Sequence, residues 1–404
     1  MTTATQAAQA PQRDGISPWL LVVLALLNAV APVATDLYLP AFPEMTAELQ
    51  ASATAVQLTL TAFLLGLTFG QLLFGPLSDR LGRRGPLIVG AVLCVLASVI
   101  AATAPTIGVL IAARFAQGFT GAAGMVIGRA VISDLAAGKA AGRAFSLMMI
   151  VGGVAPVVAP FAGGLLVGPV GWRGILWVVC AITVAMLVAS VAVVSESHPA
   201  HRRAEMKATA AQGNSPWQAL CSRAYIANTL AFAFGFAVMM AYISASPFVY
   251  QVMVGLTPAQ YGIAFGVNAL GIVTVSSLSA RLNRSISTAT LLGIGLVLTM
   301  IATLSLLALV LTGAPTWLLP IPIFVAVASQ GLILGNATAL ALGAVPRAAG
   351  SGSAGLGALQ FGLGAAVSPL VSLGGEHTAL PLALVMVTLA VLALTAFLAG
   401  RRVS

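Results

Sequence analysis

The amino-acid sequence predicts an all-α integral membrane protein in which twelve transmembrane helices form two six-helix halves. Three observations carry that expectation. Of 404 residues, 59% are hydrophobic and 7% are charged, where a soluble domain carries about 25% charged residues. Apolar runs of about 20 residues, the length that crosses a ~30 Å hydrocarbon layer as helix, recur from Trp19 to Leu398. The basic residues fall between these runs on one side only. In lipid every backbone N–H and C=O must be paired inside the protein, which leaves helices or closed barrels. The ten-residue alternation of barrel strands is absent, so a helical bundle remains.

The expected spans are 17–43, 55–77, 86–104, 106–133, 144–168, 172–194, 224–252, 258–280, 288–312, 316–344, 351–373 and 378–399. A polar interval, 195–223, separates an N-terminal six-helix half, 17–194, from a C-terminal one, 224–399, with short tails at 1–16 and 400–404. The net charge of +9 is lopsided. Arg13, Arg80, Arg83, Arg84, Lys139, Arg143, Arg202, Arg203, Lys207, Arg223, Arg281, Arg284, Arg347, Arg401 and Arg402 fall on one side, and the opposite loops hold Arg173. By the positive-inside rule this places both termini in the cytoplasm, and it reads the basic balance as topology, with no nucleic-acid partner. Ala29-Val30-Ala31 faintly resembles a leader cleavage site, but it precedes Pro32 in an apolar segment without a basic start, and it is read as part of the first span. Arg80-Leu81-Gly82-Arg83 is echoed about 200 residues later by Arg281-Leu282-Asn283-Arg284, a weak trace of a twofold repeat.

Ionisable groups inside a bilayer are costly and therefore functional candidates. Asp36 is the one acid well inside a span, provided the first helix runs on through Leu39-Pro40 to about Pro43; Arg114 and Arg129 lie on the fourth span. At ~1.5 Å per residue, Asp36 and Arg114 sit at matching depths, about 11 and 12 Å from the same face. A carboxyl beside a guanidinium, its protonation tipped by cargo, is what proton coupling requires. A static ion pair joining helices one and four is the competing reading. Gln117, one turn from Arg114, is placed to bond either Arg114 or cargo. Asn28, Gln71, Tyr242, Asn268, Gln330, Asn336 and Gln360 lie at interior depths, as cargo contacts or as interhelical bonds.

The turn after span two, Gly75-Pro76-Leu77-Ser78-Asp79-Arg80-Leu81-Gly82-Arg83-Arg84, concentrates opposite charges in a short loop. It suits a gate in which Asp79 meets an arginine in one conformation and loses it in another, with Arg129 the expected partner and Asp134 a further member. Topology signalling accounts for the arginines and not for Asp79. Glycines crowd spans four, five and eleven, either as tight packing or as moving interfaces. Cys94, Cys180 and Cys221 show no pairing or metal spacing. No HExxH, GxSxG or phosphate loop is present, so an enzyme, a metal site, a cofactor and ATP hydrolysis are not expected.

With these residues in hand, the chain resembles the major facilitator superfamily, and within it the drug:proton antiporters of the bicyclomycin and chloramphenicol resistance type (Bcr/CflA). The loop Gly75 to Arg84 is similar to motif A. Asp36-Leu37-Tyr38-Leu39-Pro40 resembles the signature of the first helix, and Arg114-Phe115-Ala116-Gln117-Gly118 resembles motif B, whose arginine the family associates with proton transfer. Ala155-Pro156-Val157-Val158-Ala159-Pro160-Phe161-Ala162-Gly163-Gly164 is similar to the antiporter motif, with Ala159 where glycine is usual. Ser244 to Phe248, Asn336-Ala337 and the run from Gly350 to Phe361 add to the resemblance, and Ser133 stands where Arg is common.

The resemblance implies the major facilitator fold and a monomeric secondary transporter whose partners are protons, lipid and a small drug-like molecule. The expected proton-coupling pair is Asp36 and Arg114. Asn28, Tyr38, Gln117, Tyr242, Asn268, Asn336 and Gln360 are expected to contact cargo. Gly75, Asp79, Arg80, Gly82, Arg83, Arg84, Arg129 and Asp134 are expected to gate, and Pro156, Pro160, Gly163 and Gly164 to form the antiporter motif. Two rivals stand beside antibiotic efflux: proton-coupled export of a metabolite such as a sugar or amino-acid derivative, and a receptor or assembly role without transport.

Overall fold

A computed structural model describes residues 17–136, 138–199, 220–345 and 349–401. Among these residues, eleven helical segments are long and apolar enough to cross a membrane. Span 1 is Pro18–Glu48, span 2 Ala53–Leu81, span 3 Arg84–Ala102 and span 4 Ile107–Leu135. The next helix, Gly138–Val193, is 56 residues long, about 84 Å at ~1.5 Å per residue and far more than one crossing. It turns at Gly171, whose φ of 66° and ψ of 179° leave the helical region for one that only glycine adopts without strain. Spans 5 and 6 lie on either side of that turn, which makes twelve crossings. Span 7 is Arg223–Met253, span 8 Pro258–Leu282, span 9 Thr288–Leu311 and span 10 Thr316–Gly343. Span 11 is Ala349–Val367 with a 3-10 turn at Ser368–Ser372, and span 12 is Leu380–Arg401. Most of the 195–223 interval lies outside the described residues, and span 7 begins within it, at Arg223.

Local chemistry sets the ends of the helices. Ser52, Thr106, Ser222 and Ser287 cap spans 2, 4, 7 and 9 through side-chain oxygens, and Thr257 with Gln260 forms a full capping box on span 8. The surface is inverted relative to a soluble protein. Phe69, Leu96, Ile301 and Leu311 are exposed, while Gln57, Arg114, Gln117 and Gln330 are buried, as expected where the outside is lipid. Arg80, Arg84, Arg223, Arg281, Arg284 and Arg401 mark one end of the bundle. Arg173 lies at the other, paired with Glu48.

The bundle's middle depends on close backbone contact. A Cβ on Gly118 of span 4 would collide with the carbonyl oxygen of Phe63 on span 2. That contact draws the two helices together and brings Arg114, one turn earlier, up against span 1.

Candidate functional site

Span 1 is not a continuous α-helix. Its α-helix ends at Asp36, a turn follows, a 3-10 segment covers Leu39–Ala41, and a short helix covers Phe42–Glu48. The sequence explains the break. Pro40 has no N–H to offer the carbonyl of Asp36, Pro43 none for Leu39, and a residue preceding proline avoids the α region. The expectation of helix through to Pro43 is therefore corrected: the span is long enough, but Asp36 is the last residue before its interruption.

Asp36 is buried, 4% exposed, and Thr35 Oγ1 donates to its Oδ1 at 2.9 Å. Arg114 is fully enclosed, yet it does not pair with Asp36. Its Nη1 donates to Gln117 Oε1 at 2.6 Å and its Nη2 to Ala34 O at 2.8 Å. Its guanidinium carbon lies 4.3 Å from the ring centre of Tyr38 and 4.4 Å from that of Phe63, a cation–π sandwich. No described carboxylate lies within ion-pair distance of Arg114. Both expected forms of a direct Asp36–Arg114 pair are thus replaced by an indirect arrangement. The arginine grips span 1 just before and just after Asp36, through Ala34 and Tyr38, and holds the break from behind.

Gln117 is committed at both ends of its amide, since Nε2 donates to Ser98 Oγ at 2.7 Å. Its place is in the Arg114 scaffold. Tyr38 is also internal: its hydroxyl bonds Thr59 Oγ1 at 3.0 Å.

Across from Asp36 stands an aromatic group from the other half. Asn268 Nδ2 donates to the hydroxyls of Tyr242, at 2.7 Å, and Tyr250, at 3.2 Å. Tyr242 stacks on Phe265, and Tyr261 bonds Ser246 Oγ at 2.8 Å. Asp36 is close enough for its charge to act on Tyr242 and Tyr261. Sequence reasoning named Tyr242 and Asn268 and missed Tyr250, Tyr261 and Phe265. Tyr250 sits on a π-helical turn, Phe248–Met253, and such turns recur at functional sites.

At the arginine-poor end the halves are joined. Gln251 of that π turn donates to Pro40 O in the span 1 break, at 3.0 Å, and Phe248 meets Phe42 at 6.1 Å between ring centres. Gln57 Nε2 donates to Ser244 O at 2.9 Å, and the hydroxyls of Ser244 and Ser368 lie 2.6 Å apart. Span 5 is wedged into this junction. A Cβ on Gly163 would strike Leu37 O, one on Gly164 would strike Pro258 O, and one on Gly262 would lie 2.7 Å from Pro160 O. The antiporter-type run is thus a contact surface between span 5, the break in span 1 and the start of span 8; Pro156 and Pro160 interrupt its own hydrogen-bond ladder.

At the arginine-rich end Arg83 is the hub. It donates to Asp79 Oδ1 at 2.5 Å, Asp134 Oδ2 at 2.9 Å and Ser78 Oγ at 2.8 Å. Glu196 accepts from the backbone N–H groups of Arg83, at 2.8 Å, and Arg84, at 3.1 Å, which opens span 3 on a carboxylate. Gly82, with φ 98°, makes the sharp turn. Gly75 lies against Val126 of span 4, and Arg80 is exposed. The expected Asp79–Arg129 contact is not made in this conformation: Asp79 takes Arg83, four residues on, and Arg129 Nη2 reaches Asn28 Oδ1 at 3.3 Å. Glu196 and Ser197, which bonds Asp134 at 3.1 Å, were read only as linker.

Asn336 makes the interhelical bonds that were one of its two expected roles. Its Oδ1 accepts from Asn283 at 2.9 Å and its Nδ2 donates to Ser279 Oγ at 2.9 Å, so it ties spans 8 and 10 together at the arginine-rich end. Gln360 is half-buried on span 11, one turn from Gly357, which faces Gln71 of span 2.

Twelve crossings, a broken helix carrying the one deep acid among the described residues, and a junction between halves built of irregular turns define a multi-pass membrane transporter. The chain belongs to the Major Facilitator Superfamily, whose family model matches residues 24–369. It is 38% identical to the uncharacterized MFS-type transporter YdgK of Bacillus subtilis (strain 168), over 94% of each chain. It is 28% identical to a bicyclomycin resistance protein homolog of Haemophilus influenzae, over 93% of this chain and 94% of that one. Multidrug resistance protein MdtL of Escherichia coli is 26% identical over 65% of each. Among solved structures, a D-xylose–proton symporter superposes with a TM-score of 0.73 at 14% identity, covering 95% of this chain and 97% of that one. The fold expectation is met.

Proposed function

We propose that this transporter exports small drug-like molecules in exchange for protons by alternating access, in a bacterial inner membrane with both termini cytoplasmic. The observation that carries the reading is Asp36: a buried acid at the break in span 1, bonded by a hydroxyl, not tied to a guanidinium, and facing the tyrosines of the opposite half. An acid locked in an ion pair would be a poor proton carrier, because every protonation would break the pair. Resistance to bicyclomycin and to multiple drugs in the names of two relatives supports a drug as cargo.

In this scheme the arginine-poor end, closed here, faces outward. Cargo enters from the cytoplasm, and the junction of Gln251, Pro40, Gln57, Ser244 and Ser368 must part to release it. Because Asp36 lies in the same interrupted segment as Pro40, its protonation is felt by that junction directly. A proton entering from outside resets the carrier. One proton exchanged for a neutral molecule moves one charge, worth ~2.3 kcal/mol per 100 mV, with about 1.4 kcal/mol more per pH unit.

The test is a drug-susceptibility panel in a pump-deficient bacterial host, comparing the parent with Asp36→Asn and Arg114→Ala. The parent is expected to raise tolerance to at least one compound, and Asp36→Asn to abolish that gain with normal membrane insertion. Unchanged tolerance to every compound on expression of the parent contradicts drug export.

A further inference from the structure

We propose that Arg129 and Asn28 form a donor-only subsite in the transport path, so that the cargo is neutral or anionic and rich in acceptor oxygens, with organic cations excluded. The inference rests on the transporter reading above and names its substrate class.

Arg129 contrasts with Arg114 on the same helix. The two lie on one face of span 4, about 22 Å apart at ~1.5 Å per residue. Arg114 is fully enclosed, bonded to Ala34 and Gln117 and sandwiched between two rings, so its guanidinium is closed off from a ligand even though Nε lacks a partner. Arg129 is exposed, and its one hydrogen bond among the described residues is the long contact to Asn28 Oδ1 at 3.3 Å. No described carboxylate lies within ion-pair distance of it.

An arginine near a helix end ordinarily snorkels its head toward the membrane surface. Arg129 stands six residues before the end of span 4, yet its guanidinium reaches Asn28, ten residues and about 15 Å beyond the start of span 1. The guanidinium is thus turned toward span 1 and stays exposed, with no carboxylate partner among the described residues. Asn28 adds to it. With Oδ1 facing the arginine, its Nδ2 has no acceptor among the described residues and lies beside Gly152, where a Cβ would come within 3.2 Å. Several N–H donors therefore converge, and the acceptor among them, Asn28 Oδ1, is already taken by Arg129.

The wider charge balance points the same way. Away from the span ends, the described interior holds Asp36 against Arg114 and Arg129, so the path is net positive whether Asp36 is charged or protonated. A cation meets repulsion there. A carboxylate, sulfonate, nitro or carbonyl group meets the donors it needs, and guanidinium can grip two oxygens of a carboxylate, nitro or sulfonate group at once.

The experiment uses the purified full-length chain in detergent and follows thermal unfolding with two probes on one aryl skeleton, a naphthalene sulfonate and a naphthyl trimethylammonium. The sulfonate is expected to raise the melting temperature and the ammonium to leave it unchanged. Arg129→Gln is expected to weaken the sulfonate's apparent affinity about tenfold or more, the size of a lost charge-assisted bond. Asn28→Ala, a milder change that covers the case in which Arg129→Gln fails to fold, is expected to weaken it about threefold to tenfold. Asp36→Asn is expected to keep the sulfonate response, so a failure of proton coupling and a failure of this subsite are told apart. No response of the parent to the sulfonate, an equal response to the ammonium, or an undiminished response in both subsite variants overturns the proposal.

Discussion

The two halves carry the same latch in different chemistry. In the first half Ser78, Arg83 and Asp134 tie span 2, the following turn and span 4 together. About 200 residues later Ser279, Asn283 and Asn336 do so for spans 8 and 10. In the register of that repeat the serines correspond, while Asn283 stands opposite Gly82 and Asn336 one residue past the counterpart of Asp134; an ion pair in one half is a pair of amides in the other. Amides hold whatever their surroundings, since they carry no net charge. A buried ion pair is stable only while both partners stay together, because a separated charge has lost its water. The comparison predicts movement in the first half's latch and constancy in the second's. Glu196 and the exposed Asp79 belong to the charged version alone.

Removing the hub should have the largest effect. Arg83→Ala removes the arginine of the Asp134 ion pair and is expected to cost about 3 kcal/mol in detergent unfolding, with loss of export. Converting the charged latch into a copy of the neutral one is the sharper test: Arg83→Asn with Asp134→Asn should recover most of the stability and little of the transport. Full recovery of transport would break the comparison. Asn336→Ala should cost about 1 to 2 kcal/mol, the consequence of leaving Asn283 and Ser279 short of a partner, with transport reduced no more than stability requires. Asp79→Asn should cost less than about 1 kcal/mol, because the Asp79 side chain is 58% exposed; a larger loss would mean that Asp79, and not Asp134, anchors the hub.

Much of the architecture was legible because hydropathy, basic turns and span length are properties of a segment. Interhelical geometry is not, and there the reading fell short. Matching depth for Asp36 and Arg114 supplied one coordinate of three; the missing one, rotation about each helix, sends Arg114 to Ala34 and Tyr38. Pro40 and Pro43 did announce the break in span 1, and the overall hydropathy of the segment masked it. Gln117 and Asn336 stay open between cargo contact and interhelical bond in the sequence, because an amide in an apolar run has no visible partner there; Ser98 and Asn283 supply one in space. Glu196 went unremarked because it acts on backbone N–H groups, which no side-chain pattern reveals.

The central claim is that Asp36 carries the proton that drives cargo uphill. Everted membrane vesicles with an imposed pH gradient test it, using a compound identified by the susceptibility panel and comparing the parent with Asp36→Asn. The parent should accumulate the compound only while the gradient lasts, and Asp36→Asn should exchange labelled compound down its own gradient yet accumulate none. Equal accumulation by the two proteins would contradict the account.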